Sequence, residues 1–197
     1  MTYPPAYERT TYRGVTLDQM TKAAIVEAER RLGRPLVLLQ GSYHSGVSAS
    51  AGTHDGGGVV DIAPTQHKRV VRVLRELGFA AWHRPAIKGL WGEHIHAVLI
   101  GNAKLAPSAA RQTIAYAAGR DGLAGNGPDN AAWRPSPIPV FAYPPTESRG
   151  PVIDATLRRL DVSHSKAVRK GKTRRAARIK AAADRLRTIK PKKRWTR

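Results

Sequence analysis

The chain of 197 residues contains no cysteine. This absence excludes a disulfide scaffold and a thiolate zinc site, so any metal ion has to be held by His, Asp or Glu. No run of about 18 apolar residues occurs, and the amino terminus has no basic segment followed by an apolar run. These absences predict a soluble protein that has no stable membrane insertion and no export signal of its own.

Acidic residues are also scarce, with 14 Asp and Glu against 34 Lys and Arg and a formal net charge of +20. Most of the excess lies after residue 150, where seventeen Lys and Arg accompany three Asp. The distribution predicts a mildly basic folded domain, 1–122, a Pro- and Gly-rich linker, 123–150, and a strongly basic tail, 151–197. We expect the tail to be helical or disordered and to attract an anionic polymer, either a cell-wall polymer or nucleic acid. Trp195 is its only aromatic residue, which disfavours base stacking.

Hydrophobic periodicity and turn residues predict an α+β domain, a small antiparallel sheet with helices packed on one side of it. Residues 1–13 are expected to wrap the surface, and the linker to be extended unless Trp133, Phe141 and Tyr143 pin it to the domain. The predicted helices are 16–33, opened by a capping box at Thr16, then 64–77, 107–119, 153–160 and 165–189. The predicted strands are 35–40, 59–62, 79–82 and 94–100.

Two short stretches carry the residues of greatest chemical interest. In the first, His54 and Asp61 flank a glycine triplet, and in the second, Glu93 precedes His96 by three positions. Two imidazoles and one carboxylate around zinc would leave one position for water, as a catalytic zinc site requires. A carboxylate at Glu93 would accept the proton of that water. His94 shares a strand face with His96, so a site built from His54, His94 and His96 is an alternative.

His54 to Asp61, followed by Glu93-x-x-His96, resembles the zinc-binding pattern of the M15 peptidases. This family comprises D-Ala-D-Ala carboxypeptidases and dipeptidases, and the L-alanyl-D-glutamate endopeptidases of phage endolysins. The resemblance spans residues 14 to 105. It implies a hedgehog-like peptidase fold, one zinc ion held by His54, Asp61 and His96, and Glu93 as the general base.

The chain departs from the family pattern at several positions. Gly52 stands where the family usually has Ser, and Val59 where it has Ala. An upstream Gly-Tyr pair followed by Arg is replaced by Ser42-Tyr43-His44, so the role of stabilising the oxyanion falls to Gln40 or His44. Outside the pattern, Trp82 and Trp91 are interpreted as core or rim packing.

The resemblance implies a zinc metallopeptidase that cuts a peptide bond in the stem peptide of bacterial peptidoglycan, and we expect a monomer. It would be of the D,D-carboxypeptidase or the L-Ala-D-Glu endopeptidase type, and a phage lytic enzyme. We expect it in the host cytoplasm until it is released to the cell wall, or associated with the virion. One alternative is a nucleic-acid-binding or virion-associated structural protein that acts through the basic tail and carries an inert peptidase-like domain. Another is a metal-binding domain that recognises wall peptides without cutting them.

Overall fold

The computed structural model describes residues 3–129, 133–144, 160, 166 and 173–187. The chain divides into two compact units, residues 1–145 and 146–197. The first unit contains every residue predicted for the metal site. Most of the predicted helix 153–160, the two ends of the predicted helix 165–189, and Trp195 lie outside the described residues.

An amino-terminal hairpin precedes the first helix. Strand β1, Arg9–Tyr12, pairs antiparallel with strand β2, Val15–Asp18. The two turn residues, Arg13 and Gly14, have φ values of 48° and 82°, a conformation that suits the twist of a tight hairpin. The predicted capping box at Thr16 is therefore wrong, because Thr16 lies within β2.

Helix α1, Gln19–Leu32, is capped instead by Asp18, whose carboxylate accepts a hydrogen bond from the Thr21 N–H at 2.7 Å. Such a cap satisfies one of the N–H groups that the first turn of a helix leaves unpaired. The helix ends at Gly33, as predicted, where φ is 73°. Glycine adopts this left-handed conformation without steric strain.

Four strands form an antiparallel sheet in the order β3, β4, β6, β5. Their bounds are Leu38–Gln40 for β3, Val59–Ile62 for β4, Phe79–Arg84 for β5 and His94–Leu99 for β6. The predicted strands are thus found, the first of them shorter and the third longer than expected. The α+β class and the small antiparallel sheet are confirmed.

Helices cover both faces of this sheet. Helix α1 and helix α2, His67–Glu76, pack on what we call the α1 face, whereas helix α3, Pro107–Ala117, packs on the opposite, α3 face. Because side chains alternate along a strand, Val60 belongs to the first core and Val59 to the second. The prediction that all helices lie on one side is wrong. Nearly all residues of β5 and β6 are buried, as is typical of strands covered on both faces.

The described part of the predicted linker packs on the first unit. The fully buried Arg75 guanidinium donates to Asp129 Oδ2 and to the Trp133 carbonyl oxygen, both at 2.7 Å. Phe141 joins the core on the α1 face, and the Tyr143 hydroxyl donates to a backbone carbonyl near the amino terminus at 2.8 Å. These contacts match the alternative in which aromatic residues pin the segment, which belongs to the compact unit 1–145.

In the second unit, helix α4, Thr173–Arg187, lies inside the predicted helix 165–189. The side chains of Arg174, Arg178 and Lys180 are exposed along it. Within the described parts of the chain, no helix is long and apolar enough to cross a membrane.

Candidate metal centre

The three residues predicted to hold a metal ion converge on the α3 face. His54 lies in a short 3₁₀ turn, Thr53–Asp55, whereas Asp61 lies in β4 and His96 in β6. Asp61 and His96 are direct cross-strand partners, so their side chains leave the same face of the sheet. One nitrogen or oxygen atom from each of the three residues lies within 4.8 Å of the other two. Segments more than thirty positions apart along the chain thus contribute to one cluster.

The glycine triplet lets the chain return from His54 toward β4. The Asp18 carboxylate stabilises this turn through hydrogen bonds. Asp18 Oδ2 accepts hydrogen bonds from the Gly58 N–H at 3.0 Å and from Asn102 Nδ2 at 2.9 Å. Gly58 has a φ of 78°, and a Cβ placed at Gly57 would lie 2.5 Å from Asp18 Oδ2. Glycine is therefore needed at Gly58 because of its backbone conformation, and at Gly57 because of the close approach of Asp18.

A backbone carbonyl orients His54, which is 1% exposed. Its Nδ1 lies 2.7 Å from the Gly41 carbonyl oxygen and donates a hydrogen bond to it. The other nitrogen, Nε2, faces Asp61 Oδ2, 3.3 Å away, and either carries a second proton that it donates to the carboxylate or offers its lone pair to a cation beside it. Outer hydrogen bonds of this kind fix the tautomer and the direction of metal-binding histidines.

Gln112 in α3 orients His96. The amide nitrogen of Gln112 donates to the Gly122 carbonyl at 3.2 Å, and its amide oxygen lies 2.8 Å from His96 Nε2. His96 Nε2 is therefore a donor, and Nδ1 is left facing Asp61 Oδ1 at 2.7 Å. That nitrogen either carries a second proton or offers its lone pair to a cation beside Asp61.

Burial and neighbouring charge act in opposite directions on these groups. Burial alone raises the pKa of Asp61, but the charge of His96 and hydrogen bonds from both imidazoles outweigh it, so the pKa falls far below its usual range. For His54, burial lowers the pKa, whereas the hydrogen bond and charge of Asp61 raise it, with a net rise. Asp61 is therefore an anion at neutral pH, and the cluster favours a proton or a metal cation next to it.

His94 lies at the edge of the same cluster. Its Nδ1 lies 2.7 Å from the Gly92 carbonyl oxygen, and its Nε2 lies 3.9 Å from Asp61 Oδ2. This arrangement repeats the pattern seen at His54, with one nitrogen donating to a backbone carbonyl and the other directed at Asp61. The alternative in which His94 is a ligand therefore stays open beside the set of His54, Asp61 and His96.

Glu93, the predicted general base, lies away from the three ligands. Its carboxylate is 2.7 Å from His83 Nε2, and its side chain is 50% exposed. His83 is the cross-strand partner of Ile95, a residue of the core on the α1 face. Glu93 lies in the bend that precedes β6, and its contact with His83 places its carboxylate on the α1 face, apart from His96.

Gln40 and His44, the two candidates for stabilising an oxyanion, both line a cleft of about 230 Å³ between β2 and β3. Gln40 is the strand partner of Asp61, and its amide nitrogen donates to Ser50 Oγ at 3.1 Å. The imidazole of His44 is exposed, while its backbone N–H donates to the His54 carbonyl oxygen at 2.8 Å. By strand register, Gln40 is the better placed of the two.

The two tryptophans have different surroundings. Trp82 is 2% exposed, its ring lies nearly parallel to that of His96 with centroids 6.4 Å apart, and its indole N–H donates to a backbone carbonyl. The interpretation of Trp82 as core packing is confirmed, and it forms one wall behind His96. Trp91 is only partly buried and donates to the Pro85 carbonyl at 3.1 Å, as expected of a rim residue.

Sequence reasoning missed two polar residues at this centre. Gln112 shares helical spacing with the buried Ala109 and Tyr116, so one polar residue on an apolar helix face was the available signal. Arg84, which is 5% exposed, follows His83 at the end of β5 and is the cross-strand partner of His94. Burial lowers the pKa of Arg84, and nearby carboxylates only partly oppose that effect.

The donor set fits zinc and several other divalent ions. A tetrahedral ion with bonds of about 2.0–2.1 Å separates its ligand atoms by about 3.3 Å. His54 Nε2 and Asp61 Oδ2 already have this spacing, at 3.3 Å, and the 2.7 Å hydrogen bond between His96 Nδ1 and Asp61 Oδ1 is the contact that an ion would replace. Comparison of the chain with protein-family models, with curated proteins and with solved structures gave no match.

Proposed function

We propose that the first unit is a zinc-dependent peptidase. The observation that carries this proposal is the convergence of His54, Asp61 and His96, with both imidazoles oriented by hydrogen bonds from outside the cluster. Two imidazoles and one carboxylate leave a position for water, as catalytic zinc sites do. Zinc held there would polarise a substrate carbonyl and lower the pKa of its water to about 7.

The side chains of the cluster are prepared for this role before a substrate arrives. Asp61 is ionised, and His54 Nε2 already faces its carboxylate at 3.3 Å. The Gly41 carbonyl and Gln112 hold the two imidazoles in place. Little reorganisation is then needed during the reaction, which is a main source of electrostatic catalysis.

Glu93 is the proposed proton acceptor, and it must exchange hydrogen-bond partners in order to act. Its carboxylate is bonded to His83, but it lies in a bend before β6, outside the strand ladder, and half of its side chain is exposed. His94 is the competing acceptor, because its Nε2 already faces Asp61. A carboxylate or imidazole in this role contributes about 10²- to 10⁴-fold to the rate.

Gln40 is the proposed donor to the substrate carbonyl oxygen as that carbon becomes tetrahedral. Its amide nitrogen donates to the Ser50 hydroxyl, a partner that a substrate oxygen can replace. His44, on the same cleft, is the second candidate.

The substrate class follows from the resemblance of the motif, which implies the stem peptide of bacterial peptidoglycan and a phage lytic enzyme. The basic tail would hold the enzyme near an anionic wall polymer and raise the local substrate concentration. Exposed Arg174 and Arg178 on α4 support such attraction.

The test is digestion of purified peptidoglycan of several chemical types, with released amines and fragments identified by mass spectrometry. Wild type should cleave one type of peptide bond, and Glu93→Gln should lose at least about 100-fold in rate while retaining its zinc. Glu76→Gln, which changes a half-buried carboxylate on α2 outside the cluster, is the matched control and should cleave like wild type. Loss of cleavage in a His94→Gln variant that retains its zinc, but not in Glu93→Gln, would transfer the proton role to His94. No cleavage of any wall type by zinc-loaded wild type would reject the peptidase.

The basic helix supports a second candidate function, binding of nucleic acid by the tail. Arg174, Arg178 and Lys180 are exposed on α4, and phosphate contacts of this kind make binding strongly salt-dependent. A steep fall in DNA affinity with salt, unchanged by Glu93→Gln and accompanied by no peptide cleavage, would favour this function.

A further inference from the structure

A second group of metal-binding side chains lies on the α1 face, away from the centre described above. His67 begins α2, His83 lies in β5, and Glu93 precedes β6. One ligand atom from each lies within 4.8 Å of the other two. Three elements that pack against one another therefore hold these side chains together.

The geometry points to a second binding site for a divalent transition-metal ion, formed by His67, His83 and Glu93. The imidazole rings of His67 and His83 are stacked with centroids 3.9 Å apart and an interplanar angle of 8°. Glu93 Oε1 lies 2.7 Å from His83 Nε2. Two imidazoles and a carboxylate are the ligands that zinc and cobalt accept, and about 3.3 Å between ligand atoms is the spacing that an ion needs. The lone pairs of stacked rings lie in parallel planes, so at least one imidazole has to rotate out of the stack before both can bind a single ion.

The site differs from the first centre in ways that predict weaker, exchangeable binding. His67 and His83 are only partly buried and Glu93 is exposed, so water reaches all three ligands. Lys68 lies next to His67, and its positive charge opposes a bound cation. The first centre, by contrast, has a largely buried carboxylate and imidazoles held by outer hydrogen bonds. We therefore expect the first centre to fill before the second.

Occupation of the second site has a consequence for Glu93. A metal-bound carboxylate stays on the α1 face, so it cannot reach the centre on the α3 face. Zinc in excess of one equivalent should then inhibit the enzyme. This inhibition rests on the proposed peptidase function, whereas binding of the ion does not.

The test is titration of the metal-depleted full chain with Co²⁺ followed by visible absorption, and with Zn²⁺ by calorimetry. We expect two ions per wild-type chain, one tight and one at least about 10-fold weaker. His67→Gln should lose the weak site and keep the tight one, whereas Asp61→Asn should weaken the tight site. Glu76→Gln changes a carboxylate outside both groups and should leave both sites unchanged.

Glu93→Gln supplies a second variant, should His67→Gln fail to fold as judged by circular dichroism. Uptake of a single ion by wild type would overturn the inference, as would two unchanged sites in His67→Gln or Glu93→Gln. A weak site that is lost with His67, in a protein that cleaves no peptidoglycan, would support the second site and reject the peptidase. Cleavage by a wild type that takes up only one ion would do the reverse.

Discussion

Asp18 lies entirely inside the protein and ties three separate elements together. Its Oδ1 accepts from the Thr21 N–H in α1, and its Oδ2 accepts from the Gly58 N–H and from the Asn102 side chain. Asp18→Ala removes the helix cap, at about 1 kcal/mol. It also leaves two more buried donors without this acceptor, at about 1–2 kcal/mol each. We therefore expect the free energy of unfolding to fall by about 3–5 kcal/mol, a large part of the 5–15 kcal/mol typical of a domain.

Urea denaturation of the zinc-free protein, followed by circular dichroism, measures this loss. With a slope of about 2 kcal/mol per molar urea, the midpoint should fall by about 2 M while the slope stays constant. Asp55→Ala, which removes an exposed carboxylate from the same loop, is the control and should change stability by at most about 0.5 kcal/mol. A loss below about 1 kcal/mol for Asp18→Ala, or an equal loss for both variants, would refute the idea that Asp18 fastens the glycine turn.

Gln112→Leu removes the acceptor that orients one imidazole, and zinc affinity measured by calorimetry should fall about 10- to 100-fold; unchanged affinity would contradict the orienting role. In zinc-free protein, Asp61 adds stability that is present above its unfolded pKa of about 3.9 and is lost as pH falls. The raised pKa of His54 adds stability that is present below about 6.5 and is lost as pH rises. In thermal melts, the stability difference between wild type and Asp61→Asn should thus be largest near pH 5–6 and smaller at pH 8, and a constant difference would contradict this. A Cβ at Gly56 would lie 2.3 Å from a backbone oxygen, whereas a Cβ at Gly125 would meet open space. Gly56→Ala should therefore destabilise the protein by about 2–3 kcal/mol and Gly125→Ala by far less. Equal losses of stability in urea denaturation would contradict the close approach at Gly56.

The elements that sequence patterns predicted well are those whose residues interact locally. The strand at 59–62 and the end of α1 at Gly33 follow from apolar runs and a single glycine. The hairpin of β1 and β2 was missed, because its strands are polar and its turn needs a positive φ at Arg13. Arginine is not a residue type that predicts a positive φ. Local patterns also do not say on which face of a sheet a helix will pack, and α3 lies on the face opposite to the one expected.

The candidate site also combines residues that local sequence patterns place with residues that only tertiary packing places. Asp61 and His96 could be placed together because strand alternation and a motif both bear on them. The position of Glu93 could not be predicted in this way, because it lies in a bend before β6 and contacts His83 on the other face. Gln112 lies in a helix whose existence can be predicted from the sequence, whereas its packing position on the sheet cannot. Its contact with His96 depends on tertiary packing of α3 across the sheet.

The imidazoles of His54 and His96 differ in how far substitution can change their orientation. The partner of His54 is the Gly41 carbonyl, a main-chain atom that no amino-acid replacement deletes, and a side chain at Gly41 is barred by the Thr16 carbonyl oxygen 2.2 Å from where its Cβ would lie. The partner of His96 is the Gln112 side chain, which a single codon change can replace. A substitution at position 112 can therefore change the orientation of His96, whereas the hydrogen bond that orients His54 stays the same. A library at position 112 would tune the ligand strength of His96 without touching a ligand.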